Sequence, residues 1–282
     1  MNLFIYMIEL KKRKINLLIF FYVIIFLVIN MFVDNHCHIL KEYYEDIDKV
    51  INNAKDNKVD VLIVSGCSKE DIIESLELIE KYNNIYLTIG FHPDEVDNVN
   101  ASDLEWLEEL IKTNKRIIGV GEIGLDYHWV KENKDKQIDL FEKQLELAEK
   151  LELPVVIHTR DATEDTINTL KKYKVKGIIH CFSGSIETAK EYMKLGFYVG
   201  IGGVLTFKNT NLKETIKSIP IDRITLETDS PYLAPTPFRG EQNEPKYIPL
   251  IAEEIAKQKE IPIEEVGKIT TDNTKKLFDL NI

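Results

Sequence analysis

Six histidines in 282 residues are placed as a metal site would need them. Residues 32–40 read "FVDNHCHIL", with His36 and His38 two apart at the end of an apolar run. On a strand, side chains at i and i+2 point to the same side, so these two imidazoles can face one ion. The segment alone fits a polar strand end equally well. The other candidates follow the same rule, each at the end of a β-branched run. His92 closes "IYLTIGFH", Glu122 sits in "IIGVGEIG", and His158 closes "PVVIH". His180 lies in "KGIIHCFSG" and Asp229 in "ITLETDSP". The sixth histidine, His128, follows Glu122 by six residues.

Singly, each of these residues suits a hydrogen-bonded strand end, an ion pair or a helix cap. Together they would be costly to bury without a cation. Four imidazoles and two carboxylates (His36, His38, His158, His180, Glu122 and Asp229) exceed the roughly three protein ligands plus water of one catalytic ion. The expectation is therefore two divalent metal ions with Glu122 between them, clamping the attacking and leaving oxygens of a displacement. Imidazole with carboxylate accepts Zn, Mn, Fe or, less readily, Mg.

Positioning six such groups at one place requires strands that end together. From Met31 the chain alternates short apolar runs with charged stretches of helical spacing. The runs are "MFVDNHCH", "VDVLIVSG", "IYLTIGFH", "IIGVGEIG", "PVVIHTR", "KGIIHCFSG", "FYVGIGG" and "ITLETDSP". Near-continuous apolar runs suit strands covered on both faces. Tyr43, Ile47, Val50, Ile51 and Ala54 mark one helix face; Ile138, Phe141, Leu145 and Ala148 mark another. Eight strands alternating with helices predict an α/β fold, a (β/α)8 TIM barrel in a single domain over residues 31–282. In that fold reactive groups sit at the C-terminal strand ends. A doubly wound sheet is the alternative. Three closing helices are expected, in "YIPLIAEEIAKQ", "PIEEVGKIT" and "DNTKKLFDL".

Composition bounds the partners. There are 47 acidic and 36 basic residues, a net charge of −11. Proteins that hold polyanions by bulk electrostatics are usually basic, so a nucleic-acid substrate would have to be held by local groups and cations. Cys37, Cys67 and Cys181 are odd in number and lack CxxC spacing. Free thiols in a reducing, cytoplasmic compartment are expected. Alternation turns Cys37 and Cys181 away from their neighbouring histidines and into the core. No obligate protein partner is evident.

Residues 1–30 form a hydrophobic extension. "KKRK" (11–14) precedes the uninterrupted apolar run "LLIFFYVIIFLVI" (17–29). It resembles a signal-peptide core or a short membrane anchor. No cleavage site follows, and the segment contains no Gly, Ala, Ser, Thr or Pro. The expected native start is Met31, with a membrane anchor as the rival.

The motifs "DNHCH", "GFHPDEV", "GEIGLDYHW", "LPVVIHTRDA", "HCFSG", "GIGGVLTF" and "ETDSPYLAPTPFRGEQNEP" closely resemble the TatD family of metal-dependent deoxyribonucleases, within the amidohydrolase superfamily. The resemblance runs in order from Met31 to about Asp279. It implies a TIM-barrel metal hydrolase acting on DNA, single-stranded DNA included. It also implies that His36, His38, Glu122 and Asp229 hold one ion, that Glu122, His158 and His180 hold the second, and that His92 lies beside the substrate phosphate. Asn35 stands where the family usually has Thr. Glu241 and Gln242 stand where basic residues usually follow "RG", which removes positive charge from the strand-binding mouth. Arg239 remains, with a fork suited to phosphate.

On this reading Asp229 is the general base, and His92 and His128 assist at the phosphate. An alternative keeps the metals and changes the bond, to a carbonyl ester or amide such as that of a D-aminoacyl-tRNA. A non-enzymatic, membrane-anchored binding protein rests on residues 17–29 alone.

Overall fold

The computed structural model describes residues 32–128 and 132–282. The expectations for residues 1–30 and for Met31 lie outside the described residues. Eight strands form one parallel sheet in the order β1 to β8. They are β1 (Phe32–Cys37), β2 (Val59–Gly66), β3 (Ile85–Ile89), β4 (Ile117–Asp126), β5 (Val155–Arg160), β6 (Gly177–Ile179), β7 (Tyr198–Ile201) and β8 (Ile224–Leu226). The helices between and after them are α1 (Ile47–Asp56), α2 (Lys69–Lys81), α3 (Ala101–Thr113), α4 (Lys134–Leu151), α5 (Thr163–Leu170), α6 (Ile186–Lys194), α7 (Leu212–Ser218), α8 (Ile248–Lys259) and α9 (Ile263–Phe278). The expected (β/α)8 barrel is the architecture found. Among the described residues no helix is long and apolar enough to cross a membrane.

Local chemistry sets the helix starts. Asp46 caps α1 by accepting from the Lys49 amide. Ser68 and Asp71 form a reciprocal capping box at α2, as do Asn100 and Asp103 at α3, each satisfying amides the helix cannot. Tyr43, expected on the first helical face, lies before α1 in a turn that returns its amide to the Leu40 carbonyl. The last two expected helices are one, α9. Only Thr271, neither Gly nor Pro, lies between the two expected segments, and the polar residues there serve the helix interior. The Thr270 and Thr274 hydroxyls donate back to Val266 and Thr270 carbonyls. The Asn273 amide donates to the carbonyls of Ile221 and Ile224, tying α9 to the start of β8.

Two apolar clusters divide the core. The larger packs helices against the outside of the sheet. The smaller fills the inside of the barrel with Val33, Val61, Ile63, Ile118, Val156, Ile178 and Tyr198, and Leu277 and Phe278 of α9 close it from below. Side chains further along the strands on this inner face reach the other end. In β5 alternation is clean, with Val156 and then His158 facing inward. In β1 it is not. Phe32 and Cys37 both pack outward, although five positions apart. The pairing with β2 slips between Asp34 and Cys37. That irregularity is what turns His36 and His38 inward.

The barrel closes at its seam through loop residues. The Asp229 amide donates to the His36 carbonyl at 2.9 Å, and the His38 amide donates to the Ser230 carbonyl at 2.7 Å. Asp34, buried, accepts from the amide and hydroxyl of Thr228 across the same seam. Closure and placement of Asp229 beside the two histidines are one event.

Candidate metal centre

Glu122, on the inner face of β4 and 4 % exposed, lies at the middle of the cluster. Its two oxygens face different partners. Oε2 lies 3.3 Å from His36 Nε2 and 3.8 Å from His38 Nε2. Oε1 lies 2.7 Å from His158 Nδ1 and 2.9 Å from His180 Nε2. Asp229 Oδ1 completes the first group, 3.5 Å from His36 Nε2 and 3.6 Å from His38 Nε2. The Nε2 atoms of His36 and His38 are 3.1 Å apart, and His158 Nδ1 is 3.4 Å from His180 Nε2.

The outer ring nitrogens fix which lone pairs face inward. His38 Nδ1 lies 3.2 Å from the Ser65 carbonyl, which only accepts, so Nδ1 carries the proton and Nε2 presents its lone pair. His158 Nε2 lies 3.0 Å from Asp126 Oδ2, which leaves Nδ1 free toward Glu122. His180 Nδ1 faces Glu227 Oε1 at 3.7 Å. His36 Nδ1 is 3.0 Å from the Ser65 hydroxyl, which also contacts Thr88. Metal-binding histidines are held in this way by partners on their far side.

The donor set fits divalent cations. Groups of three donors recur around Glu122, among them His36–His38–Asp229, His36–Glu122–His180 and His92–Glu122–His158. Inward-facing lone pairs at 3.1–3.4 Å have too few protons between them to satisfy every nitrogen, whereas a cation satisfies them all.

Charge coupling runs the same way. Burial opposes ionisation of Glu122, yet in the cation-free protein the charges of His180 and His36, and the close contacts of His158 and His180 when protonated, hold its carboxyl well below the usual range. Burial likewise works against Asp229, and in the cation-free protein the His38 and His180 imidazoles, when protonated, overcome it. Burial pulls His180 down, but Glu122 raises it well above an ordinary imidazole. In His36 burial prevails, helped by repulsion from His180, and its pKa falls.

All six expected ligands thus meet at one rim. The three residues expected to contact substrate are more dispersed. His92 N-caps a short 3-10 turn, with Nδ1 3.2 Å from Asp94 Oδ2 and Nε2 3.9 Å from Glu122 Oε1. His128 is exposed at the rim, with Nδ1 3.1 Å from Asp161 Oδ2. Arg239 is exposed, its guanidinium 4.2 Å from the centroid of the Phe207 ring. Cys181 departs from the core position that alternation gave it. A left-handed φ of 47° interrupts the alternation, leaving it partly buried, with its amide donating to Glu227.

Several residues at the centre were not anticipated. Asp126 accepts from His158 through Oδ2 and from the His128 amide through Oδ1. Glu227 is fully buried behind His180, and a side chain at Gly200 would collide with its Oε2. Gly124, with φ +147°, lets β4 approach the His158 carbonyl where any Cβ would clash. Ser65 backs His36 and His38, and Cys67 reaches Glu122. The usable signal was period two. Asp126 shares the face of Glu122, and Glu227 that of Asp229. Ser65 and Cys67 extend the inward series Val61, Ile63.

Comparison with known proteins agrees with this centre. The family model of TatD related DNases matches residues 33–279. The chain is 46 % identical over 256 residues to the metal-dependent hydrolase YabD of Bacillus subtilis, covering 89 % of this chain and all of that one. It is 43 % identical over 250 residues to a metal-dependent hydrolase of Methanocaldococcus jannaschii, covering 88 % of this chain and 96 % of the relative. The crystal structure of YJJV, a TatD homologue from Escherichia coli, superposes with a TM-score of 0.84 at 28 % identity, covering 88 % of this chain and 98 % of that one. With a centre built to hold divalent metal and relatives aligned over nearly their whole length, the chain belongs to the TatD-related family and is a metal-dependent hydrolase.

Proposed function

We propose that the protein is a deoxyribonuclease that hydrolyses phosphodiester bonds with two divalent cations, one of which His36, His38, Glu122 and Asp229 would hold and the other Glu122, His158 and His180. The observation that carries this reading is the division of Glu122, with Oε2 toward His36, His38 and Asp229 and Oε1 toward His158 and His180. With cations in the cluster, the site has the positive charge needed to acidify a water and to offset charge developing on a phosphoryl oxygen. Asp229, ionised and at the edge of the cluster, takes the proton of the attacking water. His92 presents Nε2 toward the cluster and donates to a non-bridging phosphate oxygen. His128, steered by Asp161, and Arg239, steadied on Phe207, hold neighbouring phosphates. Tyr232, half exposed and edge-to-face with His38 at 6.2 Å, offers a ring on which an unpaired base can stack. The family name and these rim groups support DNA as the substrate, with single strands favoured because duplex would bury its bases.

A second reading, hydrolysis of a carbonyl ester such as a D-aminoacyl-tRNA, draws on the net charge of −11 and on the exposed Glu241 at the rim. Both repel a phosphate backbone laid across the site, whereas an aminoacyl ester at a tRNA 3′ end need bring only its terminal nucleotide to the centre. Parallel assays of the cation-loaded protein on single-stranded DNA, bis(p-nitrophenyl) phosphate and D-aminoacyl-tRNA separate the two. Cleavage of the first two is expected. Turnover confined to the aminoacyl ester would overturn the nuclease reading.

A further inference from the structure

We propose that Cys67 is an additional ligand on the Glu122 Oε2 side of the centre, so that this pocket takes thiophilic cations (Zn, Co or Cd) in preference to Mg. The inference rests on the two-cation reading of the site. Cys67 follows β2 directly and continues the inward series Val61, Ile63 and Ser65, so its side chain enters the barrel mouth rather than the helical layer. Its Sγ lies 3.5 Å from Glu122 Oε2, the oxygen that faces His36 and His38, and 3.9 Å from the far-side Nδ1 of His38. The donor atoms of His38, Cys67 and Glu122 all lie within 4.8 Å of one another. A tetrahedral ion with Zn–S of about 2.3 Å and Zn–O of about 2.0–2.2 Å has a sulfur-to-oxygen edge of roughly 3.5 Å. The observed separation, spanned here by the thiol donating to the carboxylate, matches that edge.

The backbone of Cys67 is fixed for this role. Its amide points to Asp71 Oδ2 of the α2 capping box at 3.4 Å, and its carbonyl accepts from the His92 amide at 3.0 Å. The loop thus anchors Cys67 from both sides, and links it to the segment that carries His92. Coordination replaces the thiol proton with the cation, and the proton passes to solvent. A thiolate beside imidazole and carboxylate shifts a site toward softer ions. Cys37 and Cys181 offer no such position. Cys37 packs outward and donates toward the Ile63 carbonyl, and Cys181 sits beyond β6.

The test loads the full-length protein with Co(II) alone. Wild type is expected to show an intense sulfur-to-cobalt charge-transfer band in the near ultraviolet. Cys67→Ser and Cys67→Ala are expected to lose that band while keeping the weaker ligand-field bands of the bound ion. Cys37→Ala and Cys181→Ala should retain it. Zn affinity in Cys67→Ala should fall on the order of ten-fold or more, at least as much as loss of a supporting residue costs, with Mg affinity nearly unchanged. Unfolding curves of both Cys67 variants establish that they fold. Cobalt bound at full occupancy without the band in wild type, or a band that survives Cys67→Ala, overturns the ligand assignment and leaves the hydrolase reading intact. Wild type that binds no divalent cation overturns both.

Discussion

The two ends of the barrel are built from the same strands and do opposite things. At the bottom, Val33, Ile118, Val156, Ile178 and Tyr198 meet Leu277 and Phe278 in an apolar plug. At the top, the same faces of β1, β4, β5 and β6 carry or lead into His36, Glu122, His158 and His180. Apolar burial holds the lower half together. The upper half concentrates charged and polar groups whose mutual satisfaction depends on a cation. One inner face therefore divides into a part that stabilises and a part that reacts, within a few residues along each strand.

That division is open to breakage, and the largest effect belongs to the shared carboxylate. Glu122→Ala is expected to abolish activity and metal loading together, read by cleavage assay and elemental analysis on one preparation; activity with bound metal intact would remove Glu122 from the centre. Asp229→Asn keeps size and should lower turnover by roughly 10²–10⁴-fold, the usual range for a lost general base, while changing occupancy at His158 and His180 little. At the opposite end, Phe278→Ala should cost about 3–5 kcal/mol of stability, seen by denaturant unfolding, and leave metal stoichiometry unchanged in the folded fraction. Asp126→Ala tests the supports behind the ligands. It should weaken metal binding by about 10–100-fold, measured by competition with a chelator, without lowering the melting temperature of the cation-free protein to the extent that Phe278→Ala does.

The smallest effect concerns pH. In the cation-free protein His180 is raised by Glu122 and Glu122 is lowered by His180 and His36. The raised His180 contributes stability that is present below its unfolded pKa and lost as pH rises through the folded one. The depressed Glu122 contributes above its unfolded pKa, and that contribution is lost as pH falls through the folded one. A cation held by His180 would take the place of its proton. The rise in melting temperature on adding Zn should therefore grow as pH increases from mildly acidic to mildly alkaline. A shift independent of pH would separate the histidines from metal binding.

Much of this was legible before the fold was known, for reasons particular to each residue. The six candidate ligands stood out because each is a polar group terminating an apolar run, such as His158 after "PVVI" or His180 after "GII". Ser65 and Cys67 were hidden because serine and cysteine at the end of "VLIV" read as ordinary turn and core residues. Only continuation of the inward alternation distinguishes them. The slip in β1 was illegible as well. It is set by pairing with β2 and by the hold of Thr228 on Asp34, both long-range in sequence. The joining of the last two helices into α9 follows from Asn273 finding carbonyls beside β8, partners that local spacing cannot reveal.

The seam bonds between β1 and the loop after β8 carry a kinetic implication. His36 and His38 belong to the start of the barrel and Asp229 to its last strand's end, and their backbones interlock there. An ion gripping all three would act as a clasp across that seam. Its removal should therefore accelerate unfolding through that seam more than a comparable loss of equilibrium stability from the apolar plug does.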